Sequence, residues 1–284
     1  YIHERIINRG SDLTLGLVAS QRTIGDTSRI IPPFVTKPGL RWYKNRRVMN
    51  YDTDAKNPFQ AFPENRDGVR AMLTMAYAAT GRLLLGASFG VMTDEQLHDL
   101  SRVCPFHDTP LSARPVDAFT GVEHPQIYDF PISPDWHQVV LYNTAADGQW
   151  PTSPRDVRMG VPVNPVASTI RAKLSSGMAD GGLGLDVEED YYFYDFWNDR
   201  FIGRLDGGKS LEQDLRPGEA RMISIHRAED NPQFIATNRH LMQGYIDMVS
   251  CEWNASEKSL QGVSRVVGGD PYEVIIAKSG RTPS

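Results

Sequence analysis

The chain has 284 residues, 40% of them hydrophobic, 23% charged and 10% aromatic, with a formal net charge of −5. That length allows one large domain or two ordinary ones, and the composition is that of a folded globular chain, not a disordered one or a coiled coil. The acidic balance argues against a nucleic-acid binder that works by neutralising phosphates, and no apolar run approaches the length of a membrane span.

The chain opens Tyr1-Ile2-His3-Glu4, without Met and without a signal-peptide pattern, so the two readings are a removed leader or a cut from a longer protein. The compartment stays open, an extracellular or periplasmic setting being favoured over a cytoplasmic one. Residues 13–18 and 47–51 read as buried strands. Residues 67–80 read as an amphipathic helix, because Val69, Met72, Leu73, Ala76 and Ala79 follow one helix face. Gly81 supplies a C-terminal stop, and 83–85 is the next strand. Thr93-Asp94-Glu95-Gln96 is a capping box that starts a helix over 94–103. Strands alternating with helices imply a parallel sheet.

Beyond about residue 125 the helical period stops. Residues 138–142, 191–194, 221–225 and 272–276 are strand-like and separated by Gly, Pro, Asp and Asn clusters, the pattern of an antiparallel sandwich or barrel. Residues 125–134 read as the junction, 175–184 as a mobile Gly-rich loop, and no internal repeat is visible. The first 120 or so residues hold about three βα units, whereas a closed eight-stranded barrel needs about 250 residues. Three units alone leave sheet edges open, so this part reads as the last portion of something larger.

Gly203-Arg204-Leu205-Asp206-Gly207-Gly208-Lys209-Ser210 fits the phosphate-loop expression G-x-x-x-x-G-K-[ST]. That chemistry needs a helix after the loop. Pro217 would break such a helix, and Asp206-Gly207-Gly208 reads better as a hairpin turn. The seven histidines contain no H-E-x-x-H pattern, and His98, His107 and His124 are spread over separate elements, which favours structural roles over metal ligation. Two cysteines, Cys104 and Cys251, are too few for a cysteine-built zinc site, and whether they pair is open. Arg41-Trp42-Tyr43-Lys44-Asn45-Arg46-Arg47 is a solvated loop or a sugar-stacking rim. One N-glycosylation sequon is present, Asn254-Ala255-Ser256, a match short enough to arise by chance.

The carboxylates carry more. Asp26 follows the first strand and Asp52 and Asp54 the second, and loops after parallel strands converge on the ligand-binding face. Acidic groups there accept sugar hydroxyls or act as acid and base; they can equally be turn and cap residues. Asp52-Thr53-Asp54-Ala55-Lys56-Asn57 is not a calcium loop, lacking its Gly and Glu.

Several segments resemble the α-galactosidase (melibiase) type of glycoside hydrolase. Arg22-Thr23-Ile24-Gly25-Asp26 is similar to its R-T-x-G-D segment, and Asn50-Tyr51-Asp52-Thr53-Asp54 to its W-N-D-P-D motif. Tyr194-Asp195-Phe196-Trp197-Asn198-Asp199-Arg200-Phe201-Ile202-Gly203 and Leu215-Arg216-Pro217-Gly218-Glu219-Ala220 resemble signatures of its C-terminal sandwich. Asn238-Arg239-His240-Leu241-Met242-Gln243-Gly244 resembles an S-R-H-L-T-Q-G segment of related larger glycosidases. Gln21, Tyr51 and Thr53 depart from the family's Trp, Asn and Pro.

The resemblance implies an α/β plus all-β chain: residues 1–124 as the closing segment of a (β/α)8 barrel and 125–284 as an antiparallel β-sandwich. It implies a retaining hydrolase of terminal α-linked galactose-like sugars, with Asp26 as general acid/base and the nucleophile in a segment before residue 1 or on another chain. Arg22, Asp52 and Asp54 would orient the sugar and Trp42 would stack on it, with no metal or organic cofactor. The alternative is a non-catalytic carbohydrate-binding or structural piece of a larger glycosidase.

Overall fold

The computed structural model describes residues 20–22, 31–48, 50–61, 65–106, 110–151 and 163–278. The strand expected at 13–18 lies outside them. The first half alternates strand and helix: β1 (Ser20–Arg22), α1 (Pro32–Gly39), β2 (Asn50–Lys56), α2 (Pro58–Ala61), α3 (Arg66–Ala79), β3 (Arg82–Leu85) and α4 (Asp94–Ser101). The strands pair in parallel in the order β1-β2-β3, as the alternating pattern predicts.

The helix α3 starts where Asn65 Oδ1 accepts the Gly68 N–H at 3.0 Å, with Asp67 in the first turn beside the positive end of the helix dipole. It ends at Thr80, whose backbone turns extended. Gly81 is therefore not a left-handed cap. It is glycine because a Cβ there would sit 2.6 Å from Asn50 Oδ1. The expected apolar face is buried, but so are Thr74, Met75, Tyr77 and Ala78 off that face. The helix is enclosed because a second layer covers it, described below.

Its C-terminal carbonyls are held by Arg46. The guanidinium donates to Tyr77 O at 2.8 Å, Thr80 O at 2.9 Å, Leu111 O at 3.1 Å and Phe106 O at 3.3 Å, and lies 4.5 Å from the Tyr77 ring centroid. A cation here satisfies orphan carbonyls and meets the negative end of the helix dipole. Arg46 adopts φ +61° to do so. That turn is why residues 47 and 48 are not strand: β2 begins three residues later than the apolar run suggests, and it runs through Asp52 and Asp54 to Lys56. Thr93 forms the expected capping box with Gln96, and α4 ends at Ser101, two residues short of the helix read from sequence.

The second half is a β-sandwich. Its main sheet is antiparallel and contains β4 (Arg114–Pro115), β5 (Ile127–Ser133), β6 (Trp136–Tyr142), β10 (Asp190–Asp195), β11 (Arg200–Asp206) and β13 (Ala220–Arg227), in the order β11-β10-β13-β6-β5-β4. The short pair β7 (Ala146–Asp147) and β8 (Asn164–Pro165) stands apart from it. Residues 125–134, read as a junction, thus hold a strand of the main sheet, and Arg114–Pro115 brings the sheet's edge upstream of residue 124. One face packs Val139, Leu141, Tyr191, Phe193, Ile223 and Ile225 against the pair β9 (Ser168–Lys173) and β12 (Ser210–Leu215), which add Ile170, Ala172, Leu211 and Leu215. The other face carries Tyr128, Phe130, Val140, Tyr142 and Met222, which share a core with α3. Alternate residues serve opposite faces. Both faces are covered, so the central strands read as unbroken apolar runs.

The Gly-rich segment 175–184 is a bonded turn. Gly182 N–H donates to Gly177 O at 3.0 Å and Gly184 N–H to Ser176 O at 2.9 Å. A Cβ on Gly182 would fall 1.9 Å from Ser176 O, so the glycine serves close approach. The phosphate-loop match is strand, turn, strand: β11 ends at Asp206, Asp206 Oδ1 accepts the Gly208 N–H at 2.8 Å, and β12 begins at Ser210. It is a turn, as expected, but it crosses between the two sheets instead of closing a hairpin. The remaining strands form ribbons: β14 (Gln233–Thr237) with β17 (Val274–Ala277), and β15 (Met248–Asn254) with β16 (Ser259–Ser264). β17 starts two residues later than the 272–276 reading, because Tyr272 turns its hydroxyl onto Asp247 Oδ2 at 2.9 Å. Cys104 and Cys251 are both free thiols, and no described helix is long and apolar enough to cross a membrane.

Three described histidines are buried, and two of them, His226 and His240, pack against aromatic rings. His226 stacks on Trp136 with ring centroids 4.9 Å apart, and His240 meets the Tyr77 ring at 5.3 Å. Burial pushes each imidazole down to about 3 from an unfolded value of about 6.5. Each pKa is lowered on folding, so the unfolded chain binds more protons between those values. Stability from the neutral rings is complete above about pH 6.5 and drains away as pH falls toward 3. In urea titrations across pH 7 to 4, the slope of unfolding free energy against pH is expected to lose up to about one proton in His226→Asn and again in His240→Asn. An unchanged slope in both variants would refute the assignment.

Candidate functional site

The parallel sheet sets out the residues expected to meet a sugar. Register pairs Arg22 with Asp52 across β1 and β2, and Asp52 with Arg82 across β2 and β3. Asp26 lies in 23–30, outside the described residues. Asp52 and Asp54 are within β2 and not in a loop after it. Between Asp52 and Ala55 the register to β3 slips: two residues, Thr53 and Asp54, stand against Leu83 alone. This is a β-bulge, a device that re-aims a strand and is frequent beside active sites. The Thr53 hydroxyl accepts the Leu84 N–H at 3.3 Å, so a ladder donor freed by the slip keeps a partner. Asp52 is wholly buried.

Trp42 is elsewhere. It lies in the turn after α1 that leads into β2, on the side where the strands begin, and its ring is covered by the Arg47 guanidinium at 5.7 Å and by the edge of Tyr43. Trp42 and the end of β1 at Arg22 thus belong to opposite ends of the sheet. The sheet brings positions 22 and 52 together and leaves Trp42 apart.

The signature-like segments of the second half turn out to be joints. Trp197 is buried, donates its indole N–H to Thr74 Oγ1 at 2.8 Å, and lies under the Arg70 guanidinium at 4.8 Å from its ring centroid. Arg70 also donates to the Trp197 carbonyl at 2.9 Å. Behind it Asp99 accepts from Arg66 at 2.8 Å and from Arg70 at 3.1 Å. Burial alone would raise the Asp99 pKa, but the hydrogen bonds from Arg66 and Arg70 outweigh it and hold the carboxyl below its usual range. In the 238–244 segment, His240 Nδ1 accepts the Met242 N–H at 3.0 Å, and Gln243, at φ +49°, donates to Gln138 Oε1 at 2.8 Å. The Glu219 carboxylate of the 215–220 segment accepts the Arg216 N–H at 2.7 Å and Arg221 at 2.9 Å.

Two clefts open on this half. One of about 230 Å³ runs beside the joint, walled by Arg70, Arg102, Tyr194, Trp197 and Glu273 among others. The other, about 560 Å³, lies along the β15–β16 ribbon. Asp52 lines neither. Among the described residues no group of three or more His, Cys, Asp and Glu is arranged to hold a metal.

No protein-family model matches the chain, and no curated protein sequence does. Solved structures do match. A GH27 β-L-arabinopyranosidase from Geobacillus stearothermophilus superposes with a TM-score of 0.53 at 13% identity, over 78% of this chain and 48% of that enzyme. α-Galactosidase I from Mortierella vinacea superposes with a TM-score of 0.50 at 13% identity, over 75% of this chain and 54% of that one. The chain thus spans about half the length of these enzymes and has an α-galactosidase-like fold, sandwich included.

The joint makes a prediction. Asp99→Ala removes the buried carboxylate from Arg70 and from Arg66, which is 40% exposed and keeps its ion pair with Glu95, and is expected to cost about 2–3 kcal/mol. Thr74→Val, which removes one partner of the Trp197 indole, should cost about 1–2 kcal/mol. Chemical denaturation of both variants tests the ranking; an Asp99→Ala protein as stable as wild type would contradict it.

Proposed function

We propose that this chain is the closing part of a retaining glycoside hydrolase of the α-galactosidase type, with β1 to β3 as consecutive strands of a (β/α)8 barrel and the β-sandwich after them. The observation that carries the reading is the parallel sheet with Arg22 and Asp52 in register, on a fold shared with glycosidases across three quarters of the chain. Asp26, a few residues past the end of β1, is the general acid/base. The partner carboxylate, about 5 to 5.5 Å away in a retaining site, is the nucleophile, supplied by a segment before residue 1 or by another chain.

The chemistry follows from that pair. A nearby second carboxylate and partial burial raise the acid's pKa, so it stays protonated and donates to the leaving oxygen while the nucleophile forms the glycosyl bond. It then accepts a proton from the attacking water. Arg22 and the β2 acids Asp52 and Asp54 orient hydroxyls of a terminal galactose-like sugar, the bulge turning β2 at that point. Trp42 has no part in this reading, since ligands of such sheets bind where the strands end. The carbohydrate is the partner; two carboxyls do this chemistry without metal or organic cofactor.

The complete burial of Asp52 favours a second reading, in which β2 is purely structural and the chain is a non-catalytic carbohydrate-binding or scaffolding piece. Hydrolysis of a chromogenic α-galactoside separates them, measured on the chain together with its preceding segment. Asp26→Asn is expected to lower kcat/KM by about 100- to 10,000-fold with an unchanged melting curve. Equal turnover by variant and wild type, or none in either, supports the second reading.

A further inference from the structure

The β15–β16 ribbon has no part in the reading above. None of its residues is buried, and it ends in the turn that carries Asn254-Ala255-Ser256. An N-x-S/T sequon that carries a glycan lies on the surface of the folded chain. Asn254 meets that condition, at the start of a turn whose residues 255–258 are exposed. Its Oδ1 accepts the Ser256 hydroxyl at 2.7 Å, the Ser256 N–H at 3.1 Å and the Glu257 N–H at 3.2 Å. Three donors on one oxygen fix the side-chain plane and leave Nδ2 pointing away from the turn. Nδ2 donates to no described residue, so replacing one of its hydrogens breaks nothing.

The surroundings suit a glycan as well. The cleft of about 560 Å³ has Asn254 itself as one wall, with Trp253, Glu252, Gln261 and Val263 as others. Glu252 and its cross-strand partner Gln261 share a ribbon face with Asn254 and offer hydroxyl partners. Val263, 58% exposed, is apolar surface that a bound sugar would cover.

We infer that Asn254 is an N-glycosylation site and that the first sugars of the glycan rest in the cleft beside Glu252 and Gln261. The bond that forms joins Nδ2 to the anomeric carbon of an oligosaccharide carried on a lipid diphosphate. The bond that breaks joins that carbon to the phosphate oxygen. The lipid diphosphate departs with the electron pair, and one amide proton passes to a base of the transferring enzyme.

The test is secretion of the full chain from a eukaryotic host, followed by peptide mass mapping and digestion with an amidase that removes N-linked glycans. The Asn254 peptide is expected to carry one glycan; Asn254→Gln and Ser256→Ala should abolish it, and Ser256→Thr should retain it. Cleft seating predicts that the native protein releases its glycan at least tenfold more slowly than the denatured protein, and that Glu252→Ala combined with Gln261→Ala removes the difference. An unmodified Asn254 in the secreted, folded wild type overturns the site, and equal release rates from native and denatured protein overturn the seating.

Discussion

From Gly68 to its end α3 is buried at every position but Arg70, and most of the architecture follows from what that enclosure requires. A buried helix C-terminus has no water for its orphan carbonyls, so they need partners from the protein. Asn65 serves the start and Arg46 the end. Arg46 reaches four carbonyls because a planar guanidinium has five donors in a fixed fork, which a lysine could not reproduce. Small residues along the helix, Ala71, Ala76, Ala78 and Ala79, let both layers come close. The same packing couples the halves: Met222 and Tyr142 of the sandwich share a core with Met72 and Tyr77 of the helix.

The polar joint around Asp99 adds direction to that apolar contact. Apolar burial has no preferred orientation, whereas two guanidiniums on one carboxylate and an indole on a threonine have one each. The joint therefore orients the sandwich against the helices. Segments that resemble family signatures in the sequence are here joints, with Trp197, Glu219 and His240 turned inward.

Much of the scaffold could be read from periodicity. The α3 stripe, the Thr93 box and the central strands were legible because each is a local rule: a face every 3.6 residues, an i to i+3 exchange, an apolar run between turns. The misreadings each had a longer-range cause. Arg46 bends the chain to reach carbonyls more than thirty residues away, and β2 starts late as a result. The glycines at 182 and 207 look like markers of a mobile or phosphate-binding loop, but they are there because a carbonyl oxygen, of Ser176 or Asp186, comes within 1.9 Å of where a Cβ would be. Pattern reading sees the glycine and not the neighbour. Of the candidate site, sequence reading named Arg22 and Asp52 but set Asp52 after the strand; its place within β2 and the bulge there were not legible, since nothing in Asp52-Thr53-Asp54 marks a strand that gains a residue over its partner.

The β15–β16 ribbon bears on how the chain behaves in concentrated solution. Each of its strands has one partner among the described residues, so both outer edges present unused N–H and C=O groups, and Val249 and Val263 stand 56% and 58% exposed along them. Open edges with β-branched side chains are templates for a neighbouring molecule's strand. Glu252, Glu257 and Lys258 act as gatekeepers there, placing charge where such stacking would begin. The ribbon thus carries both an open template for self-association and the charges that oppose it, on residues that lie outside the core.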